Sequence, residues 1–177
     1  MSAPLPMPDT PPPGAMPAKP PYFAVSTRKL VVMSLCTVGL YGTYWFYKNW
    51  ALIKARERSA ISPVWRSLLE FLYCYACLAR IRETAREQHL EATLAAGPLT
   101  AGFILVGLLG AGPTPCWQLS ALSVFFLTPA QNVANRINDQ LAPGHDPNSS
   151  FSSLNIALMV IGGAVTLGSA LLAFIPL

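Results

Sequence analysis

The chain has 177 residues, of which 53% are hydrophobic and only 11% are charged, and its net charge is +4. A soluble domain carries about 25% charged residues, and a chain of this length could not bury so much apolar surface in water. The composition therefore argues against an ordinary soluble domain, and it argues against nucleic-acid binding because the basic residues flank apolar segments as they do beside membrane spans.

The first predicted segment is a proline-rich tail at residues 1–24. Nine prolines fall within the first 21 residues. Proline withdraws a backbone donor and favours extended polyproline II, so this composition predicts disorder. We expect a helical membrane domain over the remaining residues, 25–177.

The first apolar run extends from Leu30 to Tyr47 without a charge, and Lys29 and Lys48 stand at its two ends. Eighteen helical residues reach about 27 Å, close to the roughly 30 Å hydrocarbon thickness of a bilayer. The run predicts one membrane span.

Aromatic side chains cluster where this span should reach the headgroups: Tyr41, Tyr44, Trp45, Tyr47 and Trp50. Such rings prefer that layer because the ring is apolar while the hydroxyl or indole N–H needs a wet partner. We predict that they anchor the span at the membrane interface. A site for an aromatic ligand is the alternative.

The same stretch carries the pattern T-x-G-[IL]-Y-x-x-Y-W, here Thr37, Gly39, Leu40, Tyr41, Tyr44 and Trp45. With the following KNW and the later ISPVWR (residues 61–66), it resembles the motif of a family of small bacterial inner-membrane proteins grouped as a domain of unknown function. The resemblance covers about residues 25–82. It implies a bacterial inner-membrane location and brings neither catalytic residues nor a cofactor.

The next segment, Ile61 to Ala79, is less regular. Ser62 followed by Pro63 predicts a helix start, and no glycine or proline interrupts the chain before Gly97. Arg66 and Glu70 are four residues apart on the apolar half of this helix and are expected to form an ion pair. The distribution of Lys and Arg favours an interfacial or re-entrant helix that continues into a charged cytoplasmic helix; a crossing helix is the alternative.

Two further uncharged regions follow. Residues 92–135 are long enough for two crossings, with GAGPTP at 110–115 as the turn of a helical hairpin, and residues 151–175 form another span. Small residues in the last span, Gly162, Thr166 and Ala170, predict close helix packing within the chain or in a homo-oligomer.

These segments predict an all-α integral membrane protein with about four transmembrane helices plus one interfacial or re-entrant helix. The positive-inside rule places the basic loops in the cytoplasm and both chain ends on the opposite side.

Polar side chains follow Pro129 at helical spacing: Gln131, Asn132, Asn135 and Arg136. The plainer interpretation is a helix that emerges into cytoplasmic water, with its amides hydrogen-bonded to neighbouring helices. The alternative is a polar vestibule or a contact with a partner.

The sequence carries no enzyme motif and predicts no metal or cofactor. We therefore expect a non-enzymatic, multi-pass scaffold or accessory subunit of the bacterial inner membrane. Its expected partners are the lipid bilayer, anionic lipid headgroups, and a second copy or another membrane protein, but no nucleic acid. The alternative is a small transporter or channel with a polar path near Arg66, Glu70 and residues 131–136.

Overall fold

The computed structural model describes residues 19–91, 93–112 and 116–172, which are helical and contain no strand. The α-helices are α1 (Thr27–Cys36), α2 (Leu40–Glu57), α3 (Pro63–Leu68), α4 (Glu70–Glu87), α5 (Ala96–Gly107), α6 (Thr128–Leu141) and α7 (Ser153–Leu172). Two 3-10 helices, Leu108–Ala111 and Cys116–Phe126, lie between α5 and α6. The predicted all-α class is confirmed.

The first apolar run is two helices that fold back on each other. Helix α1 ends at Cys36, and Val38 and Gly39 then have φ values of 50° and 88°, in the left-handed region that stops a helix. Helix α2 returns along α1, so that the backbone N–H of Phe23 donates to Oδ1 of Asn49 at 3.1 Å.

A single crossing between Leu30 and Tyr47 is therefore contradicted, because the residues before and after the run lie at the same end of the molecule. The physical reason is the break at Gly39, where glycine accepts a positive φ without strain. The ten residues of α1 reach only about 15 Å, half of a hydrocarbon layer.

Helix α3 begins where the sequence predicts. Pro63 is its first residue, and the hydroxyl of Ser62 accepts the Trp65 backbone N–H at 3.5 Å. The predicted uninterrupted helix is wrong, however. The backbone breaks at Leu69, which has a ψ of 41°, and α4 ends at Glu87, just before His89 takes a positive φ.

The helical hairpin predicted over residues 92–135 is present as an antiparallel pair, with residues 113–115 of its turn outside the described residues. A Cβ at Gly102 would overlap the ring of Phe126, and one at Gly110 would lie 3.4 Å from Ser120. The return limb is the 3-10 helix Cys116–Phe126. The hydroxyl of Thr128 donates to the Phe125 carbonyl at 2.9 Å and supplies the donor that Pro129 lacks.

Helix α7 lies at the periphery and packs by one face only. A Cβ at Gly162 would overlap the carbonyl oxygen of Cys36, so the backbones of α7 and α1 touch there. Nε2 of Gln118 donates to the Thr166 carbonyl at 2.9 Å and to the Ser169 hydroxyl at 2.8 Å. Among the described residues, α7 is the one helix both long and apolar enough to cross a membrane, with a mean hydropathy of 1.9.

These contacts define two ends of the molecule. The charged end contains residues 22–25, the last turns of α2, most of α4, and α6. The apolar end contains the α1–α2 turn at 37–39, Leu108–Ala111 and the part of α7 beyond Ile161, which come together around one cavity and carry no charge.

The amino-terminal segment lies at the charged end. Its Tyr22 N–H donates to Asn138 Oδ1 at 3.1 Å, and Arg56 Nη2 donates to the Tyr22 hydroxyl at 3.0 Å. The expectation that this segment and the basic loops lie on opposite sides is therefore wrong. The fold-back of α1 on α2 brings both to one end.

Candidate functional site at the charged end

The segment Tyr22 to Val25 forms the centre of the charged end. It is not helical. Tyr22 and Val25 are fully buried, and the ring of Phe23 lies edge-on to that of Tyr44 with their centroids 5.6 Å apart. Residues 22–24, which the sequence assigns to a disordered tail, are therefore packed into the fold. Residues 1–18 of that tail lie outside the described residues.

Three side-chain amides of α6 hold this segment, and we name them the amide clamp: Gln131, Asn135 and Asn138. They share one helix face because they are spaced four and three residues apart. Nε2 of Gln131 donates to the carbonyls of Phe23 (3.1 Å) and Val25 (3.0 Å). Nδ2 of Asn135 donates to the Val25 carbonyl at 3.1 Å. Asn138 pairs with both backbone groups of Tyr22, at 3.1 and 3.0 Å.

The clamp is completed by two residues of α2. The indole Nε1 of Trp45 donates to Oε1 of Gln131. Asn49 accepts from the Phe23 N–H, and its own Nδ2 donates to the Trp45 carbonyl at 3.0 Å. Asn49 was missed by the sequence analysis, although an asparagine among the aromatic residues at the end of an apolar helix is the signal that could have found it.

The four predicted polar residues of α6 form hydrogen bonds within the protein. Two of them, Gln131 and Asn135, bind the backbone of residues 23–25. Asn132 lies on the neighbouring face and accepts from the Thr27 hydroxyl, while Arg136 donates to the Glu91 carbonyl at 3.3 Å. None of the four lines a cavity together with Arg66 or Glu70 in the described pockets.

The five predicted interface aromatics divide into two groups. Trp45 and Trp50 are completely buried and Tyr41 is nearly so, whereas Tyr44 and Tyr47 are 44% and 39% exposed. Trp45 and Trp50 belong to the protein core because α2 turns them toward α6 and α4, whereas Tyr41 lies on the side of α1 and α7. An anchoring role at the membrane interface stays a prediction for Tyr44 and Tyr47.

The motif that suggested a family encodes the α1–α2 turn. The Thr37 hydroxyl donates to the Met33 carbonyl at 2.7 Å and accepts the Tyr41 N–H at 3.0 Å, so one side chain closes α1 and starts α2. Gly39 provides the positive φ between them. The motif's threonine and glycine are thus explained by local structure.

The Tyr22 hydroxyl joins α2 to α4. It donates to the Arg80 carbonyl at 2.9 Å, lies 2.8 Å from the Thr84 hydroxyl, and accepts from Arg56. Burial raises the pKa of Tyr22 above its usual value of 10.0, against the opposing effects of Thr84 and Arg56. The phenol is therefore neutral at physiological pH and keeps the proton that it donates.

Arg66 stacks on aromatic rings and does not form the expected ion pair with Glu70. Its guanidinium lies 4.4 Å from the ring centre of Trp50 and 4.9 Å from that of Tyr73. The break at Leu69 explains the difference, since it takes Glu70 off the face that carries Arg66. The Arg80 guanidinium also lies over Trp50, at 5.3 Å, and its Nε bonds Glu57 at 2.7 Å.

Glu70 faces a small cavity of about 130 Å³ beside the α1–α2 turn. The hydroxyl-bearing residues Ser34, Thr43, Ser120 and Ser123 line it together with apolar side chains, and no basic residue does. Oε2 of Glu70 and the Ser34 hydroxyl oxygen are buried without a hydrogen-bond partner. An unpaired carboxylate is costly to bury, so this arrangement suits either a protonated carboxyl group or one that binds a cation.

In the described parts of the chain, no three His, Cys, Asp or Glu side chains come together that could hold a metal ion. No protein family, curated protein or solved structure matches the chain. The family resemblance therefore stays a prediction, and the proposals below depend on geometry and charge alone.

Proposed function

We propose that this protein is a non-enzymatic scaffold of the bacterial inner membrane. Its charged end lies at the cytoplasmic surface, and its helices extend from there into the hydrocarbon, with the hairpin turn near Ala111 at the opposite surface of the membrane. The segregation of charge supports this most directly. All twelve Lys and Arg residues fall outside the three uncharged regions 30–47, 92–135 and 151–175, and the contacts of the flanking segments bring them to the charged end.

The exposed apolar side chains also favour a lipid environment. Large ones cover the outside of α5, of the 3-10 helices and of α7: Leu105, Leu108, Leu119, Phe125, Val160, Leu167 and Leu171. Each such side chain gains about 1.5–3 kcal/mol when it leaves water completely. A bilayer removes this surface from water without any further protein contact.

The lengths of the helices suggest how each sits in the membrane. The twenty residues of α7 reach about 30 Å and can cross. Helix α5 with Leu108–Ala111 reaches about 26 Å, so the hairpin can cross twice. The helix pairs α1–α2 and α3–α4 enter from the charged end and return to it. This topology keeps every cation on the cytoplasmic side, as the positive-inside rule requires.

A scaffold role follows from the two surfaces that this placement leaves free. Exposed cations at the charged end, among them Arg28, Lys54 and Arg58, attract anionic headgroups by about 1 kcal/mol each. The outer face of α7, with Val160 and Leu167 each 67% exposed, is available within the bilayer to a second copy or to another membrane protein.

Thiol labelling tests this topology. Lys19→Cys, Ala60→Cys and Ala111→Cys are placed singly in a chain whose four native cysteines are replaced, and intact spheroplasts are treated with a membrane-impermeant maleimide. We expect label at position 111 only, with positions 19 and 60 reacting after the membrane is opened. Labelling of position 19 from outside, or release of the protein by a carbonate wash, would overturn the proposal.

Cation transport is the second candidate function, and the Glu70 cavity alone favours it. Most residues predicted to line a polar path are engaged in other contacts. Arg66 is stacked on Trp50, and the amide clamp is occupied by residues 22–25. In liposomes, a transporter would show proton or sodium flux that Glu70→Gln abolishes and that Glu57→Gln, a change at the exposed ion pair with Arg80, retains. Equal flux in both variants would exclude a role for the cavity.

A further inference from the structure

Lys29 is a buried cation without an anionic partner. It is only 4% exposed, and its Nζ donates to Oδ1 of Asn148 at 2.8 Å and to the Ser150 carbonyl at 2.7 Å. Both acceptors are neutral, and the Phe151 ring, whose centre lies 6.0 Å from Nζ, carries no formal charge. Two of the three ammonium donors are used in these hydrogen bonds, so one lacks an oxygen or nitrogen acceptor among the described residues. None of the ion pairs found in the described residues includes Lys29. A buried charge of this kind is costly unless it is paired.

The acid that lies nearest in sequence to Asn148 and Ser150 is Asp146, and it is already engaged. Oδ1 of Asp146 accepts the Asn148 backbone N–H at 2.8 Å, in a local turn where Asn148 takes a φ of 48°. Nδ2 of Asn148 donates to the Ala24 carbonyl at 3.2 Å, which ties this turn to the segment held by the amide clamp. The turn therefore positions Asn148 and Ser150 beside the Lys29 ammonium and leaves its charge unbalanced.

An open pocket of about 520 Å³ lies next to Lys29, between α1, α2 and the start of α7. Its polar lining comes from Lys29 and from the turn before α7 with the first residues of α7: Asn148, Ser150, Ser152 and Asn155. Its apolar lining comes from residues farther toward the apolar end and from the rings of α2: Leu40, Tyr41, Tyr44, Leu154 and Leu158. The pocket is thus amphipathic along the axis of α7.

We infer that this pocket binds one anionic phospholipid, with its phosphate on Lys29 and an acyl chain along Leu40, Leu154 and Leu158. The phosphate supplies the missing negative charge and accepts the remaining ammonium donor and the nearby hydroxyl groups. A phospholipid and inorganic phosphate would present the same phosphate group to Lys29. The apolar lining favours the phospholipid, because only a lipid has an acyl chain to bury there. Leu154 is 67% exposed, so the pocket opens sideways toward the hydrocarbon that the proposed function places there.

Lipid retention by the purified full-length protein tests the inference. The protein in neutral detergent is titrated with phosphatidylglycerol or with phosphatidylcholine, and bound lipid is counted by native mass spectrometry. We expect one phosphatidylglycerol to bind at least about tenfold more tightly than phosphatidylcholine, a difference of about 1.4 kcal/mol. Inorganic phosphate at millimolar concentration should not displace it.

Two variants and one matched control locate the site. Lys29→Met removes the charge and keeps the length of the side chain, and Leu158→Trp fills the apolar lining while Lys29 stays in place. Each should weaken phosphatidylglycerol binding at least about tenfold. Arg28→Met removes the neighbouring exposed cation, which does not line the pocket, and should change binding less than about twofold.

Each other outcome overturns the inference. An equal loss in Arg28→Met would mean general attraction to the basic surface, and displacement by inorganic phosphate would make free phosphate the ligand. If Lys29→Met does not fold by circular dichroism, the Leu158→Trp result decides. The inference rests on the proposed membrane location, but failure of that location appears separately, as label at position 19 from outside or as release by carbonate.

Discussion

At the charged end the helices are joined through buried side-chain amides, whereas at the apolar end they touch backbone to backbone. Gln131, Asn135 and Asn138 bind residues 22–25 by hydrogen bonds to the carbonyls of residues 22, 23 and 25. Gly162 joins α7 to α1 because it lacks a side chain. We therefore expect the charged end to be destabilised when a polar group is removed, and the apolar end to be destabilised when a side chain is added at the helix contact.

The largest effect is expected at the centre of the amide clamp. Gln131→Leu keeps the bulk of the side chain but leaves the Phe23 carbonyl and the Trp45 indole N–H buried without their partner. Each unpaired group costs about 1–3 kcal/mol, so we expect a loss of about 2–6 kcal/mol. Thermal unfolding in detergent measures it. The control Gln140→Leu changes an exposed amide of the same helix, and an equal loss there would contradict the clamp.

A smaller effect is expected at the contact between α7 and α1. Gly162→Leu would force the Cys36 carbonyl away, and overpacking of this kind costs about 1–3 kcal/mol. Gly163→Leu is the matched control, because nothing lies within 4 Å of a Cβ at that position. Protease digestion in detergent should release α7 from the first variant at a lower temperature than from the second. Identical digestion would show that the two helices do not depend on this contact.

Tyr22→Phe removes the hydroxyl that joins α2 to α4, at a cost of about 1–2 kcal/mol. Since the folded-state pKa of Tyr22 is raised above 10.0, the wild-type protein loses stability as pH rises above that value. The variant should lack this part of the alkaline loss when unfolding is followed from pH 8 to 11. Tyr47→Phe, at an exposed ring of α2, should behave like the wild type at every pH.

The smallest effect is expected in the aromatic stack. Arg66→Lys keeps the charge but loses the planar group over Trp50 and Tyr73, which is worth about 0.5–1 kcal/mol. Arg86→Lys is the comparison, since Arg86 is 64% exposed and makes only a long contact with Glu83. Urea unfolding of both variants in detergent would find no difference between them if the stacking adds no stability.

Local signals in the sequence predicted the local structure well. Ser62 and Pro63 begin a helix, the described helices within the uncharged residues 92–135 pair antiparallel, and α7 occupies the last apolar run. The break at Leu69 has no such signal, because neither glycine nor proline lies near it. The turn at Gly39 does have a signal, the glycine itself, but a glycine within an apolar run is also compatible with an unbroken membrane span.

The candidate site was predicted in its residues but not in its arrangement. Gln131 and Asn135 were identified from their spacing on one helix face, yet their partners lie 106–110 residues away in sequence. No periodic pattern reports a pairing over such a distance, particularly with backbone groups of a segment that reads as a proline-rich tail. Because such long-range contacts leave no pattern in the sequence, the sequence did not show that the start of α1 and the end of α2 lie at the same end of the molecule. The predicted topology was wrong for this reason.

The amide clamp also sets an order of events during synthesis. Tyr22 and Asn138 are separated by 116 residues. A ribosome that adds 5–20 residues per second needs about 6–23 s to cover that interval. Throughout that time the backbone of residues 22–25 has no α6 to bind. Residues 22–25 can therefore meet their partners on α2, Asn49 and Arg56, well before α6 is made and completes the clamp.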